Sequence, residues 1–190
     1  MRAFIAIELP NEIRDSLNGI QEKLKACKAD VRWVAPENIH LTLKFLGEVN
    51  EEQLSKVKAI METIAGQKKI FNIRLASVGA FPNMNYPRVI WAGVDNGGKE
   101  AEELACALEE KIEKIGIPKE ERAFSSHITI GRIRSNLGKD RLTAGLKQPE
   151  NYFKDSVHEF SVNKLTLFKS TLTPKGPIYE IVKEANLTTA

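Results

Sequence analysis

Two short stretches of this chain share a pattern that restricts its fold more than any other feature. His40-Leu41-Thr42-Leu43 and His127-Ile128-Thr129-Ile130 both read His-x-Thr-x with an aliphatic x, 87 positions apart. Such alternation belongs to a half-buried strand, in which side chains at i and i+2 point to the same side. Each tetrad therefore projects an imidazole and a hydroxyl from one face and anchors the other face in a core. The chain has nine threonines in 190 residues and only three histidines. The chance that two of three histidines carry Thr at +2 is about 0.007. The match asks for a fold that uses it: two strands, side by side or related by a pseudo-twofold, on which two imidazoles and two hydroxyls converge.

The remaining pattern supplies the frame. Residues 2–8, 39–46, 69–78, 88–94, 126–133, 157–168 and 178–185 read as strands, with a short apolar piece at Val31 to Val34. Helical spacing marks about 11–27 behind Pro10, then 51–65 behind the cap Asn50, then the stretch carrying Leu104, Leu108, Ile112 and Ile115. A short helix is expected near 139–146 within the polar segment 134–155. About eight strands and three or four helices in mixed order predict an α+β or mixed α/β chain with largely antiparallel pairing. No linker interrupts it, so residues 1–190 are expected to form one compact body.

Composition narrows the function classes. The 42% hydrophobic and 28% charged fractions are those of a globular chain. No apolar run is long enough to span a membrane, and MRAFIAIELP, interrupted by Glu8, reads as a first strand and not a leader. Cys27 and Cys106 lie far apart without a CxxC, which fits two buried thiols in a reducing cytoplasm. A net charge of +3 is too mild for coating nucleic acid by bulk charge but permits a local phosphate site.

Two imidazoles, one neutral and one protonated, can take a proton from a nucleophile while giving one to a leaving group. In-line attack on a phosphodiester needs these groups on opposite sides of phosphorus. The two Thr hydroxyls can donate to the non-bridging oxygens between them. A metal site is not expected, since neither HExxH nor a Cys/His cluster is present. His158, in Val-His-Glu-Phe, has no Thr partner and reads as a surface or strand residue.

The two tetrads and their flanks resemble the two-histidine phosphoesterase superfamily, and within it the LigT-like RNA 2′,3′-cyclic phosphodiesterases, also called 2′-5′ RNA ligases. The resemblance rests on Arg2-Ala-Phe-Ile-Ala-Ile, Trp33, Pro36-Glu-Asn-Ile-His40 through Gly47, Phe81-Pro82, Arg88-Val-Ile-Trp91, and Phe124 before His127-Ile-Thr129-Ile-Gly-Arg132. It implies two pseudo-symmetric α+β lobes of mainly antiparallel sheet and helices around a central cleft, one tetrad from each. It implies metal-independent hydrolysis of RNA 2′,3′-cyclic phosphate ends to 2′-phosphates. His40 would be the proton donor, His127 the proton acceptor, and Thr42 and Thr129 the phosphate holders, with no cofactor. The family pattern has Pro before the second His, where this chain has Ser126.

Four further residues are candidates for binding substrate. Flat-strand parity puts Lys44 on the His40 face. Arg132, at +5 from His127, reaches the cleft only if the strand bulges near Gly131. Arg2 and Phe4 share a face away from Ile5 and Ile7, where Phe4 offers a stacking surface or fills the seam between lobes. Trp33 and Trp91 read as core. The expected partners are RNA 3′ ends or nucleoside 2′,3′-cyclic phosphates, with no membrane or protein partner and a monomeric chain. Two alternatives stay open: a ligase that joins the cyclic end to a 5′-hydroxyl, and a non-catalytic module that binds RNA ends.

Overall fold

The strands fall into two antiparallel sheets. The structure, a computed structural model, describes residues 1–148, 152–154 and 158–189. The first sheet has the order β3-β1-β8-β9, from β1 (Arg2–Glu8), β3 (His40–Glu48), β8 (Lys164–Thr173) and β9 (Gly176–Asn186). The second has the order β2-β6-β5-β4-β7, from β2 (Val31–Trp33), β4 (Phe71–Phe81), β5 (Val89–Asn96), β6 (His127–Ile133) and β7 (Glu159–Val162). The four helices are α1 (Asn11–Lys25), α2 (Glu51–Ala65), α3 (Gly98–Glu113) and α4 (Lys139–Leu146).

The pseudo-symmetry is visible in the strand orders. The run β3-β1-β8-β9 in one sheet matches β6-β5-β4-β7 in the other, and β1 and β5 each lead into a helix. Both His-x-Thr-x strands occupy equivalent places. The lobes are intertwined, because α2 and α3 contact β3, β8 and β9, whereas α1, which follows β1 of that sheet, packs on β6 and α4. A continuous apolar cluster runs from Ile5, Ile7 and Leu41 through Leu17 and Leu108 to Ile90, Ile128 and Ile130, all essentially sealed from solvent. Alternation explains it: the aliphatic members of each tetrad feed this core while His and Thr face the other way.

Local chemistry sets the element ends. Asn50 accepts from the Gln53 backbone N–H while the Gln53 side chain accepts from the Asn50 N–H, a reciprocal cap that starts α2. Gly97 turns β5 into α3 at φ +78°, where a Cβ would lie 2.1 Å from the Asn72 carbonyl oxygen, so no other residue fits.

Three expectations change. The stretch 157–168, read as one strand, is two, divided at Asn163 and shared between the sheets, which raises the count to nine among the described residues. The apolar positions change parity there, from Phe160 and Val162 to Leu165 and Leu167 across the polar pair Asn163-Lys164, so the break left a sign in the periodicity that the one-strand reading passed over; residue 157 itself lies outside the described residues. Cys106 is exposed on α3 and Cys27 is only half-buried, both as free thiols. His158 is buried, with its Nδ1 3.0 Å from the Ser16 hydroxyl.

Candidate active site

The two tetrads are built alike to the level of single hydrogen bonds. His40 Nδ1 lies 2.7 Å from the Asn38 carbonyl, and His127 Nδ1 lies 2.7 Å from the Ser125 carbonyl, two residues back in each case. A carbonyl only accepts, so each Nδ1 carries the proton. Nε2 is then the working atom of both rings: a lone pair when neutral, a donor when charged. The segments before the strands are tied down as well. Asn38 Nδ2 donates to the Pro177 carbonyl at 3.0 Å, and the Ser126 hydroxyl donates to the Gly98 carbonyl at 3.0 Å. Ser126 thus anchors the start of β6 to α3 without a proline ring.

Each strand also bulges at the same place. On β3, Thr42 pairs with Ala6 but Lys44 pairs with Ile5, which leaves Leu43 as the extra residue. On β6, Thr129 pairs with Trp91 but Gly131 pairs with Ile90, which leaves Ile130 as the extra residue. The last position of both tetrads is therefore the bulge, and parity inverts after it. One inversion settles two of the candidate residues in opposite senses.

Arg132 is turned to the face of His127 and Thr129. Its charge acts on His127 and also on Tyr179 of β9, so it reaches toward both sheets. Gln21, a buried amide on α1, holds this bulge by donating to the Ile130 carbonyl at 2.8 Å and to the Val34 carbonyl at 2.8 Å. Lys44 is a correction. The bulge at Leu43 moves it to the core face, where it is 2% exposed. Its ammonium donates to Glu109 at 3.2 Å and to the Pro118 carbonyl at 2.9 Å, with Glu120 at 3.7 Å. The β3 residue equivalent to Arg132 is Phe45, exposed and 6.2 Å from the Phe4 ring.

Phe4 pairs across β1 with Phe168 of β8 and is 4% exposed. It touches His40 at a centroid distance of 4.8 Å, Phe168 at 5.2 Å and Tyr179 at 4.9 Å. It is the floor beneath His40 and offers no open stacking face. All of these partners stand on the β3-β1-β8-β9 sheet, so Phe4 packs within an aromatic cluster of its own lobe and these contacts do not place it in the seam. Arg2 is exposed on the same face, and its charge acts on Tyr179.

Sequence reading missed several cleft residues. Tyr179 stands edge-on to His40 at 5.4 Å, and Phe81 stands edge-on to His127 at 4.9 Å. Trp91, expected in the core, shares the face of Thr129, its direct pair. Its indole lies over Gly79 and Gly93, where a Cβ would come within 2.3 Å and 2.9 Å of the ring. The two glycines were the available signal, since a strand glycine marks a close approach. Arg32 pairs directly with Arg132 across β2 and β6. Its guanidinium would meet a Cβ placed on Gly176 at 3.4 Å, so it rests against the β8–β9 turn of the other sheet.

Burial sets the electrostatics. It pushes His40 down to about 4; the Asn38 carbonyl opposes this and the Arg14 charge adds to it. Burial also lowers His127, against the Ser125 carbonyl and with help from Arg132. Both imidazoles are thus neutral in the empty site. A depressed imidazole makes stability fall on the acid side, because the unfolded ring titrates near 6.5 and binds a proton the native ring refuses. The stabilisation is complete above pH 6.5 and is lost as pH falls toward 4, roughly 3 kcal/mol in all. Denaturant melts of His40→Gln are expected to show a flatter profile between pH 6.5 and 4 than the parent. Parallel profiles would rule out this burial effect.

Thr42 and Thr129 are half-buried, and neither hydroxyl has a hydrogen-bond partner among the described residues. Arg132, Arg32 and Arg2 likewise have no acidic partner there. Among the described residues no three His, Cys, Asp or Glu side chains converge to hold a metal, and no helix is long and apolar enough to cross a membrane. Each tetrad strand thus presents one Nε2 atom and one unspent hydroxyl on its face, joined on β6 by the Arg132 guanidinium: donors and acceptors suited to a phosphate group.

The model of the family described as LigT like Phosphoesterase matches residues 7–91 and 93–179, so each matched stretch holds one tetrad. This chain belongs to that family. Similarity to LigT-like relatives runs nearly end to end. An RNA 2′,3′-cyclic phosphodiesterase of Methanocaldococcus jannaschii is 39% identical over 97% of this chain and 99% of its own. One of Methanothermobacter thermautotrophicus is 36% identical over 94% and 95%. Among solved structures, a protein of Thermus thermophilus superposes with a TM-score of 0.80 at 30% identity, covering 100% of this chain and 99% of its own. E. coli LigT, solved also in complex with 3′-AMP, superposes at 0.76 with 26% identity, covering 99% and 98%. The LigT-like architecture, α+β with two lobes, is the one the resemblance implies.

Proposed function

We propose that this chain hydrolyses the 2′,3′-cyclic phosphate at RNA 3′ ends to a 2′-phosphate. The observation that carries the reading is the matched pair of imidazoles, each with Nδ1 tied to a backbone carbonyl and Nε2 left for chemistry. The names of the full-length relatives support the substrate class. In the reaction, His127 Nε2 takes a proton from water as its oxygen bonds to phosphorus. The bond from phosphorus to O3′ breaks, and O3′ receives a proton from His40 Nε2. The products are a 2′-phosphate and a 3′-hydroxyl. Thr42 and Thr129 donate to the non-bridging oxygens, where their hydroxyls have no competing partner, and Arg132 offsets the charge. Arg2, exposed on the His40 side, adds to the field that holds the anion.

A donor must carry a proton, yet burial keeps His40 neutral in the empty site. The anionic phosphodiester supplies the missing counter-charge. An opposite charge beside an imidazole favours its protonated form, so substrate binding raises both rings. The bell of kcat is therefore expected at higher pH than the bell of kcat/KM, which reports the free enzyme. Limbs of kcat at equal or lower pH would contradict substrate-coupled loading.

Both halves of the site come from one chain, so a monomer is complete for the reaction. The free thiols Cys27 and Cys106 suit a reducing cytoplasm. Product analysis on a cyclic-ended RNA oligonucleotide, with and without a 5′-hydroxyl acceptor, tests the reading. A 2′-phosphate in excess chelator is expected. Joined RNA as the main product would replace hydrolysis by ligation, and binding without turnover would leave only an RNA-end binder.

A further inference from the structure

Beyond Arg132, where β6 leaves the cleft, the chain builds a feature that the cyclic-end chemistry does not use. An open groove of about 270 Å³ lies between the loop before β5 and the turn into α4, lined among others by Tyr86, Arg88, Arg134, Asn136 and Lys139. No acidic side chain lines it. Arg88, Arg134 and Lys139 have no acidic partner among the described residues, whereas Lys56, Lys68, Arg74 and Lys169 each hold a carboxylate at 2.6 to 2.8 Å. Gathering cations without counter-charge costs folding free energy, and an anion seated among them offsets it.

The groove continues the site. Arg134 follows Arg132 by two residues, about 7 Å along extended chain, a distance one nucleotide of single-stranded RNA spans. The Ile133 backbone N–H donates to the Arg88 carbonyl at 2.9 Å, which holds the two groove walls together. Tyr86 is 70% exposed, and Lys139 Nζ lies 5.4 Å from its ring centroid, so a cation backs the ring while much of it is open. A ring beside phosphate-binding cations is the usual equipment for single-stranded nucleic acid.

We propose that this groove binds the RNA backbone on the 5′ side of the cyclic end, with Arg88, Arg134 and Lys139 on phosphate and Tyr86 under a base. The inference rests on the hydrolase reading of the cleft and adds a preference for oligonucleotides over single nucleotides. The closing experiment compares the parent with the triple variant Arg88→Ala, Arg134→Ala, Lys139→Ala, all on exposed or half-buried positions. Fluorescence anisotropy reads binding of a 2′-phosphate-ended RNA decamer across a salt series. Steady-state rates are read for a cyclic-ended decamer and for a nucleoside 2′,3′-cyclic phosphate.

The triple variant is expected to lose at least about tenfold in decamer affinity and in decamer kcat/KM, with a salt slope shallower by about 2. The cyclic nucleotide is expected to turn over within about twofold of the parent rate. Unchanged decamer binding and salt slope, or an equal loss on both substrates, would overturn the groove. An acidic peptide that needs these cations while RNA does not would assign the groove to a protein instead. If the parent turned over neither substrate, the hydrolase reading would fail, and the anisotropy series would still decide whether RNA uses the groove.

Discussion

His40→Ala and His127→Ala are each expected to lower kcat/KM on a cyclic-ended RNA by about 10³-fold, roughly 4 kcal/mol of transition-state stabilisation. Each imidazole moves one proton at Nε2, and nothing within reach replaces it: the remaining histidine, His158, is buried against Ser16 and Phe153. The double variant is expected to be little worse than either single one, because the two groups act in one step. Binding of the 2′-phosphate product should survive in both, since Thr42, Thr129 and Arg132 remain. Saturating EDTA should leave the parent rate unchanged, as the steps run through imidazoles. Near-parental activity in either alanine variant would falsify the two-imidazole mechanism. Far-ultraviolet spectra that match the parent exclude misfolding as the cause, a control that matters most for His40, packed between Phe4 and Tyr179.

Glu109→Ala should cost stability without touching chemistry. Lys44 is a buried ammonium whose shortest acidic contact is Glu109 at 3.2 Å. Removing that carboxylate leaves the charge with the Pro118 carbonyl and the longer Glu120 contact, which should cost about 2 kcal/mol. For a chain of this size, that is a fall in Tm of roughly 4–8 °C. Lys44→Met keeps the stem packed against α3 and removes the charge with its desolvation cost, so a change within about 1 kcal/mol is expected. Both variants should keep kcat/KM within about twofold. A tenfold loss in Lys44→Met at unchanged Tm would instead return Lys44 to the phosphate.

The contrast between Lys44 and Arg132 shows how far strand parity carries. Period-two counting places both tetrads, the apolar anchors Ile5, Ile7, Leu41 and Ile128, and the cleft-facing pairs of His and Thr. It does not place the next residue outward, because a bulge is a relation between two strands and leaves no period of its own. Leu43 and Ile130 look like ordinary aliphatic positions in the chain. Only pairing with Ala6 and Ile5, or with Trp91 and Ile90, makes each of them the extra residue. Phe4 is similar: its face was legible, but the depth of its burial depends on Phe168 and Tyr179, more than 160 positions away.

By itself, the amino-acid sequence determined the two His-x-Thr-x strands, the α+β class, the LigT-like resemblance and the absence of another imidazole pair. These follow from local periodicity and residue type, which a single chain displays. The tertiary structure decided what sits between and beyond the tetrads. It sent Lys44 into the core and turned Arg132 to the face of His127 and Thr129, laid Trp91 over two glycines, set Arg32 against Arg132, and gathered Arg88, Arg134 and Lys139 in one groove. The physical reason is common to all of them. Registers, bulges and gathered charge arise only when distant segments pair, and the free energy that selects among them comes from the core they bury together.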